Sequence, residues 1–153
     1  MNANNVIPAC KLTVPNTLIG WLKQVGIAAL YVLFGYVIHH NFTSNGIVSV
    51  VWWGSGLALA ALLIGGRRYL WGVILGVLVV NALANDTLVG ALGTTLASIL
   101  EVLLGVWLLT SNNKFSLSLN TLPDYLRLIA LGGGVASLIG AIIGAHWLYY
   151  SQV

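Results

Sequence analysis

Long apolar runs separated by short polar segments make up most of the chain. The central stretch, residues 50–84, holds two such runs on either side of a basic hinge, Gly65-Gly66-Arg67-Arg68. Neither run contains a proline or a charge, and each is close to the shortest helix that crosses a bilayer core of about 30 Å. Two such helices cannot bury all their apolar faces in a small water-soluble domain. The pattern therefore predicts a hairpin of two membrane helices.

The same alternation along the whole chain predicts five helices. They cover residues 17–40, 48–64, 69–84, 87–110 and 124–150, joined by polar links and preceded by a polar leader, residues 1–16. All three prolines (Pro8, Pro15 and Pro123) fall outside these ranges, as expected because proline disrupts a helix interior. The predicted fold class is all-α. Residues 17–153 form a polytopic transmembrane bundle of about five spanning helices.

Composition and charge support lipid as the solvent and set an orientation. Charged residues are 6% of the chain, against about 25% in soluble domains. Crossing at every helix places all the basic residues on one side, which the positive-inside rule makes the cytoplasm, together with the N-terminus. Arg67 and Arg68 then anchor the hairpin at that interface. A re-entrant hairpin would bury both arginines at about 2.5 kcal/mol or more each, so we favour crossing.

Glu101 is the most informative polar residue, because it lies inside an apolar helix. A carboxylate near the bilayer centre costs about 2.5–3.5 kcal/mol, so this side chain must face protein. Small and polar side chains share its helical face: Thr94, Ala97, Ser98 and Gly105. Two roles stay open. Glu101 contacts a ligand or switches protonation, or it is a structural anchor, hydrogen-bonded or paired with Arg67, Arg68 or Arg127.

Glycines at four-residue spacing indicate close helix contacts. The third predicted helix carries Gly72 and Gly76, the fifth carries Gly140 and Gly144, and Gly105 lies on the same face as Glu101. Residues without a side chain let two backbones approach. Whether these contacts lie within the chain or form the face of a homodimer is left open.

The histidines and the aromatic residues are weaker candidates for a metal, haem or ligand site than Glu101. His39, His40 and His146 fall on the external side, but they lack a metal-binding spacing and adjacent histidines point in different directions on a helix. We therefore predict no metal, haem or other cofactor. Trp53 belongs to an aromatic belt or lines a ligand. The sequence has no catalytic arrangement and no phosphate-binding loop, so no enzyme is predicted.

Two stretches resemble the MASE1 family of bacterial membrane-integral sensory domains. One is GLALAALLIGGRR (residues 56–68), followed by Trp71, Gly72 and Asn81; the other is LEVLLGVWLL (residues 100–109), with Glu101, Gly105 and Trp107. The resemblance covers about residues 48–144. It implies a location in the bacterial inner membrane, N-terminal to a cytoplasmic histidine kinase, diguanylate cyclase or phosphodiesterase module.

The chain also departs from the family pattern. Trp52-Trp53-Gly54 stands where the family usually has a Trp-Pro-Pro-like run, and Ser98 stands where it often has asparagine. The family domain tends to be larger, so the chain is expected to be its N-terminal part. The number of crossings agrees with this expectation. Five crossings from a cytoplasmic N-terminus end the fifth helix outside, so a cytoplasmic module requires an odd number of further membrane spans.

These observations predict a membrane sensory domain that relays a stimulus to a cytoplasmic output module. The candidate ligand or switch residues are Glu101, Ser98, Asn81 and Trp53. Membrane lipid is the expected partner, and nucleic acid is not, because the net charge is only +3. Two alternatives stay open: a structural or accessory subunit bound to another membrane protein, and a small transport component.

Overall fold

The computed structural model describes residues 17–44, 48–49, 54–84, 87–111 and 115–151. Helices account for nearly all of these residues, which confirms the all-α prediction. They are α1 (Leu18–Phe42), α2 (Gly54–Gly65), α3 (Leu70–Ala84), α4 (Leu88–Ser111), α5 (Leu122–Arg127) and α6 (Ser137–Ser151). A π-helical segment, Leu128–Ala136, joins α5 to α6, so the fifth predicted helix is one continuous helical stretch. The predicted leader lies outside the described residues.

The link between α1 and α2 differs from the prediction. Thr43–Ser44 (β1) pairs antiparallel with Val48–Ser49 (β2), and α2 begins only at Gly54. A helix start at Val48 is therefore wrong. Because β1 and β2 are antiparallel, the chain reverses direction between them, and a β-branched valine fits the extended backbone of β2.

The basic hinge ends α2 in the way its glycines suggest. Gly66 has a φ of 73°, a left-handed conformation that glycine adopts without strain, and its N–H donates to Leu62 O at 2.9 Å. A 3₁₀ turn, Arg67–Tyr69, follows and leads directly into α3. The hairpin predicted from the two apolar runs is present.

Helix length separates the five helices into two groups. Leu18–Ile38, Leu88–Ser111 and Leu122–Trp147 are long and apolar enough to cross a membrane, by length and composition. The helices α2 and α3 have 12 and 15 residues. At 1.5 Å per residue they extend about 18 and 22 Å, less than a bilayer core of about 30 Å. Five crossings and a cytoplasmic N-terminus therefore stay predictions.

The helix α4 is the central element of the bundle. It contacts α2, α3, α6 and the π segment, while α1 lies along α3. The buried core where α1, α2, α3 and α4 meet contains Tyr31, Ala58, Leu62, Leu70, Val73, Val77, Val80 and Val102. Large apolar side chains also cover the outer faces of the long helices, among them Leu33, Leu96 and Ile142. This arrangement suits a bundle that is surrounded by lipid.

Glycines bring α1 and α3 into close contact. A Cβ at Gly76 would lie 2.8 Å from Tyr31 Cβ, and a Cβ at Gly35 would lie 2.7 Å from a methyl of Val80. Neither position has room for a side chain. The Gly72 and Gly76 pair thus lies at a helix contact within the chain, as one of the two open interpretations predicts.

Asp124 organises the start of the last helical stretch. Its side chain is buried and accepts hydrogen bonds from the Ser116 N–H at 3.3 Å and the Thr121 hydroxyl at 2.7 Å. Arg127 lies 3.7 Å from the same carboxylate. Pro123 occupies the first turn, where its missing N–H has no partner to lose. The predicted start at Pro123-Asp124 agrees with the structure to within two residues.

Candidate functional site

Glu101 lies at the contact between α4 and α6. Its Oε1 accepts a hydrogen bond from the Ser137 hydroxyl at 2.7 Å. Gly140, one turn further along α6, leaves room for the acid, since a Cβ there would lie 2.7 Å from Glu101 Cβ. The carboxylate is thus held against a facing helix, as its position inside an apolar helix predicts.

A cavity of about 270 Å³ opens beside this carboxylate. Three elements surround it: α2 contributes Ser55, Gly56 and Leu59, α4 contributes Glu101, Val102 and Gly105, and the π segment with the start of α6 contributes Gly132, Gly133 and Ser137. One acidic residue and two serines therefore line a space whose other walls are apolar or lack side chains. Polar groups in an otherwise apolar pocket are typical of a small-molecule site.

The shape of the cavity follows from its glycines. Leu59 inserts between α4 and the π segment, where a Cβ at Gly105 or Gly132 would lie 3.1 or 2.9 Å from its methyl groups. At Gly56 and Gly133 a Cβ would meet nothing within 4 Å. The first two glycines let the helices approach, and the other two leave the space open.

The π segment forms one wall of the cavity. A π-helix closes its hydrogen bonds five residues apart, is rare, and often occurs at functional sites. Gly132 and Gly133 lie within it, and Ser137 follows it directly. The run of three glycines, Gly132 to Gly134, is a local signal for a departure from α-helix, because glycine is a weak helix former.

The other candidate residues lie apart from Glu101. Ser98 donates back to Thr94 O within α4 at 2.9 Å, and Asn81 donates to the Thr95 hydroxyl at 3.1 Å, which links α3 to α4. Neither lines the cavity. Trp53 lies outside the described residues, so its proposed role stays a prediction.

The arginines do not pair with Glu101 where their side chains are described. Arg68 donates from Nε to Gly65 O at 2.8 Å, and its guanidinium lies 5.4 Å from the centre of the Tyr69 ring. Arg127 pairs with Asp124. The side chain of Arg67 is outside the described part. The structure shows a hydrogen bond from Ser137 to Glu101, and whether this acid is an anchor or a ligand contact stays a prediction.

Gln24, a residue that the sequence analysis passed over, joins α1 to the hinge. Its side chain is 2% exposed, its Nε2 donates to Arg68 O, and its Oε1 accepts from the Gly72 N–H at 2.6 Å. Arg68 O and Gly72 N are the two groups that would bond to each other in a regular α-helix. The carboxamide is inserted between them, and a Cβ at Gly72 would lie 2.7 Å from Gln24 Oε1. A lone glutamine in an apolar helix was the available signal.

The opposite end of α6 lies against the start of α4. Trp147 Nε1 donates to Val89 O at 3.1 Å, and the indole covers Gly93, where a Cβ would overlap it. Gly144 faces Ala97, with 3.7 Å between its Cβ position and the alanine methyl. Together with Gly140, these contacts place the predicted glycine pair of the last helix on α4 of the same chain.

His40 and His146 each lie beside a tyrosine of the same helix, with the two rings tilted by 58° and 59°. The ring centres of His40 and Tyr36 are 6.0 Å apart, and those of His146 and Tyr150 are 4.6 Å apart. The side chain of His39 is not among those described. Within the described ranges, no group of three or more His, Cys, Asp or Glu residues is placed to hold a metal ion.

A bundle of long apolar helices around a partly polar cavity defines a membrane-integral helical domain. The MASE1 family model matches residues 24–152, nearly the whole chain. The chain therefore belongs to the MASE1 family of membrane-associated sensory domains, which confirms the resemblance seen in the sequence and extends it at both ends. No curated protein and no solved structure matches the chain.

Proposed function

We propose that this chain is the sensory input of a signalling protein in the bacterial inner membrane, and that it relays a stimulus to a cytoplasmic output module. Membership of a sensory family supports the input role. The cavity beside Glu101 is the observation that carries the proposal, because three separate elements meet there. A ligand in this space touches α2, α4 and the π segment at once.

The relay uses the π segment. A ligand signals only if it binds two arrangements of the protein unequally. When a π turn changes to an α turn, the helix beyond it shifts and rotates. The Ser137–Glu101 hydrogen bond lies directly after the π segment and is the contact that such a change would break. Occupancy of the cavity would therefore alter how α6 lies on α4.

Two polar residues support this arrangement from other positions. Asn81 bonds to Thr95 across the contact between α3 and α4, and Ser98 bonds within α4. We assign both to the positioning of α4, while Glu101 faces the ligand. The signal then passes through α6 and the sequence that follows it.

The test begins with the reading frame beyond Val153. Further membrane helices followed by a kinase, cyclase or phosphodiesterase module support the relay; a stop codon directly after Val153 contradicts it and favours an accessory subunit. The output activity of the full-length product is then measured in membrane vesicles. Glu101→Gln and Ser137→Ala are expected to change basal output at least about threefold, which corresponds to a little under 1 kcal/mol in the switching equilibrium.

A matched control is available on α1. Gly26→Ala adds a methyl where nothing lies within 4 Å, far along the chain from the cavity residues. This variant is expected to keep the wild-type output. If the Glu101 and Ser137 variants also keep it, the cavity is not the input site and the proposal fails.

A further inference from the structure

We infer that the cavity beside Glu101 binds a small organic cation, an ammonium group carried on a short apolar body. Taking this cavity as the input site rests on the proposed function; the class of ligand follows from the residues that line it. An apolar cavity of about 150 Å³ holds one benzene molecule. The cavity here, about 270 Å³, has room for an aromatic ring with a short aminoalkyl chain.

The charge of the ligand follows from the hydrogen bonding of Glu101. The Ser137 hydroxyl occupies Oε1, and no described residue donates to Oε2. Within the described chain, every fully buried side-chain oxygen or nitrogen has a hydrogen-bond partner. Oε2 is therefore not fully buried in the protein, and Glu101 is one of the residues that line the cavity. A carboxylate oxygen only accepts hydrogen bonds, so the missing partner is a donor.

The described chain supplies no counter-ion for this acid. Arg127 pairs with Asp124, and Arg68 lies over Tyr69 at the hinge. Glu101 forms no ion pair with any residue whose side chain the structure describes, which leaves out Arg67. A carboxylate away from bulk water is stable when a positive group lies beside it, because the attraction between charges grows as the dielectric constant falls.

The other lining groups match an ammonium better than a metal ion. An ammonium has three donors, and the cavity offers three accepting groups: Glu101 and the hydroxyls of Ser55 and Ser137. Leu59 and Val102 supply apolar contact for the body of the ligand. Calcium takes about six to eight oxygen ligands, which is more than these groups supply.

The test measures thermal unfolding of the purified chain in phosphatidylglycerol nanodiscs, with benzylammonium as the probe. Benzyl alcohol and benzoate have nearly the same shape without the positive charge. Saturating benzylammonium is expected to raise the Tm by about 3 °C, as for a ligand present at ten times its Kd, and the alcohol and benzoate are expected to leave it unchanged. An equal rise with benzyl alcohol, or no rise with benzylammonium, overturns the inference.

Three variants locate the effect. Glu101→Gln keeps an oxygen for Ser137 and removes the charge, so it should abolish the Tm rise; a rise as large as in wild type overturns the inference. Gly56→Leu adds a bulky side chain at a glycine that lines the cavity, with nothing within 4 Å of its Cβ position, and should also abolish it. Gly26→Leu makes the same change at a glycine on α1 with nothing within 4 Å and should keep the full rise. Loss in the Gly26 variant as well would mean that binding is not at the cavity.

The ammonium group in the cavity can belong either to a lipid headgroup or to a free amine. Nanodiscs that contain phosphatidylethanolamine distinguish the two sources, because a headgroup in the cavity competes with benzylammonium and reduces its Tm rise. An unchanged rise assigns the site to a free amine. Failure of the cation inference is distinct from failure of the proposed function. If output depends on Glu101 but benzylammonium does not bind, the proposed relay stands and the inference of a cationic ligand is wrong.

Discussion

Replacing Gln24 by leucine is expected to destabilise the bundle more than replacing it by alanine. In most apolar cores the order is the reverse, because the smaller residue leaves the larger void. Here the side chain matters through its amide, which is inserted between Arg68 O and the Gly72 N–H. Leucine keeps the volume of Gln24 and holds those two backbone groups apart without bonding to either.

The expected magnitudes follow from this geometry. A buried backbone group left without a partner costs about 1–3 kcal/mol, so two such groups in Gln24→Leu cost about 2–6 kcal/mol. In Gln24→Ala the two backbone groups can bond to each other, because Arg68 O and the Gly72 N–H are four residues apart in sequence, as in an ordinary helix hydrogen bond. The remaining loss is the packing of the glutamine chain, about 1–2 kcal/mol.

Equilibrium unfolding in mixed micelles, followed by circular dichroism as the dodecyl sulfate fraction rises, measures both differences. Val25→Ala is the matched control on the same helix turn, since Val25 is 60% exposed, and it should stay within about 0.5 kcal/mol of wild type. If Gln24→Ala proves less stable than Gln24→Leu, the amide does not bridge the hinge and the reasoning is wrong.

The same titration checks two further predictions. Gly72→Ala places a methyl 2.7 Å from the backbone oxygen and Oε1 of Gln24 and should lower the free energy of unfolding by about 1–3 kcal/mol. Gly26→Ala has open space and should raise it by about 0.5–1 kcal/mol. Equal effects of the two changes would contradict the close contact at Gly72. Glu101→Gln retains an acceptor for Ser137 and should stay within about 1 kcal/mol of wild type, whereas Glu101→Ala loses that bond and its packing and should lose about 2–4 kcal/mol. Equal stability of the two Glu101 variants with wild type would remove the anchor role.

Helix positions were predictable because apolar run length and helix breakers are local properties. The predicted third helix ends at Ala84, as α3 does, and the predicted fourth helix is offset from α4 by one residue at each end. Pro123 correctly indicated the start of the last stretch. The error at Val48 has the same origin, since a short apolar run is compatible with either a strand or a helix.

Pairing between helices was not predictable from the same information. Gln24 and Gly72 are 48 positions apart, and Glu101 and Ser137 are 36 apart, so only the folded bundle shows which faces meet. The sequence indicated that Glu101 must face protein, because lipid excludes a carboxylate. It did not indicate that a serine would be its partner or that a cavity would lie beside it.

The bundle has a tight side, where α1 packs on α3, and an open side, where the cavity lies among α2, α4 and the π segment. This division bears on where a stimulus can act. On the tight side, glycines press α3 against α1, and Gln24 adds two hydrogen bonds. On the open side, Ser137 donates a hydrogen bond to Glu101 beside the cavity, while Gly140 of α6 packs closely on α4. Closely packed helices resist displacement, whereas a contact beside a cavity can change at smaller cost. If the cavity is the input site, as proposed, a ligand that fills it is expected to alter the Ser137–Glu101 contact and to leave the α1–α3 pair in place.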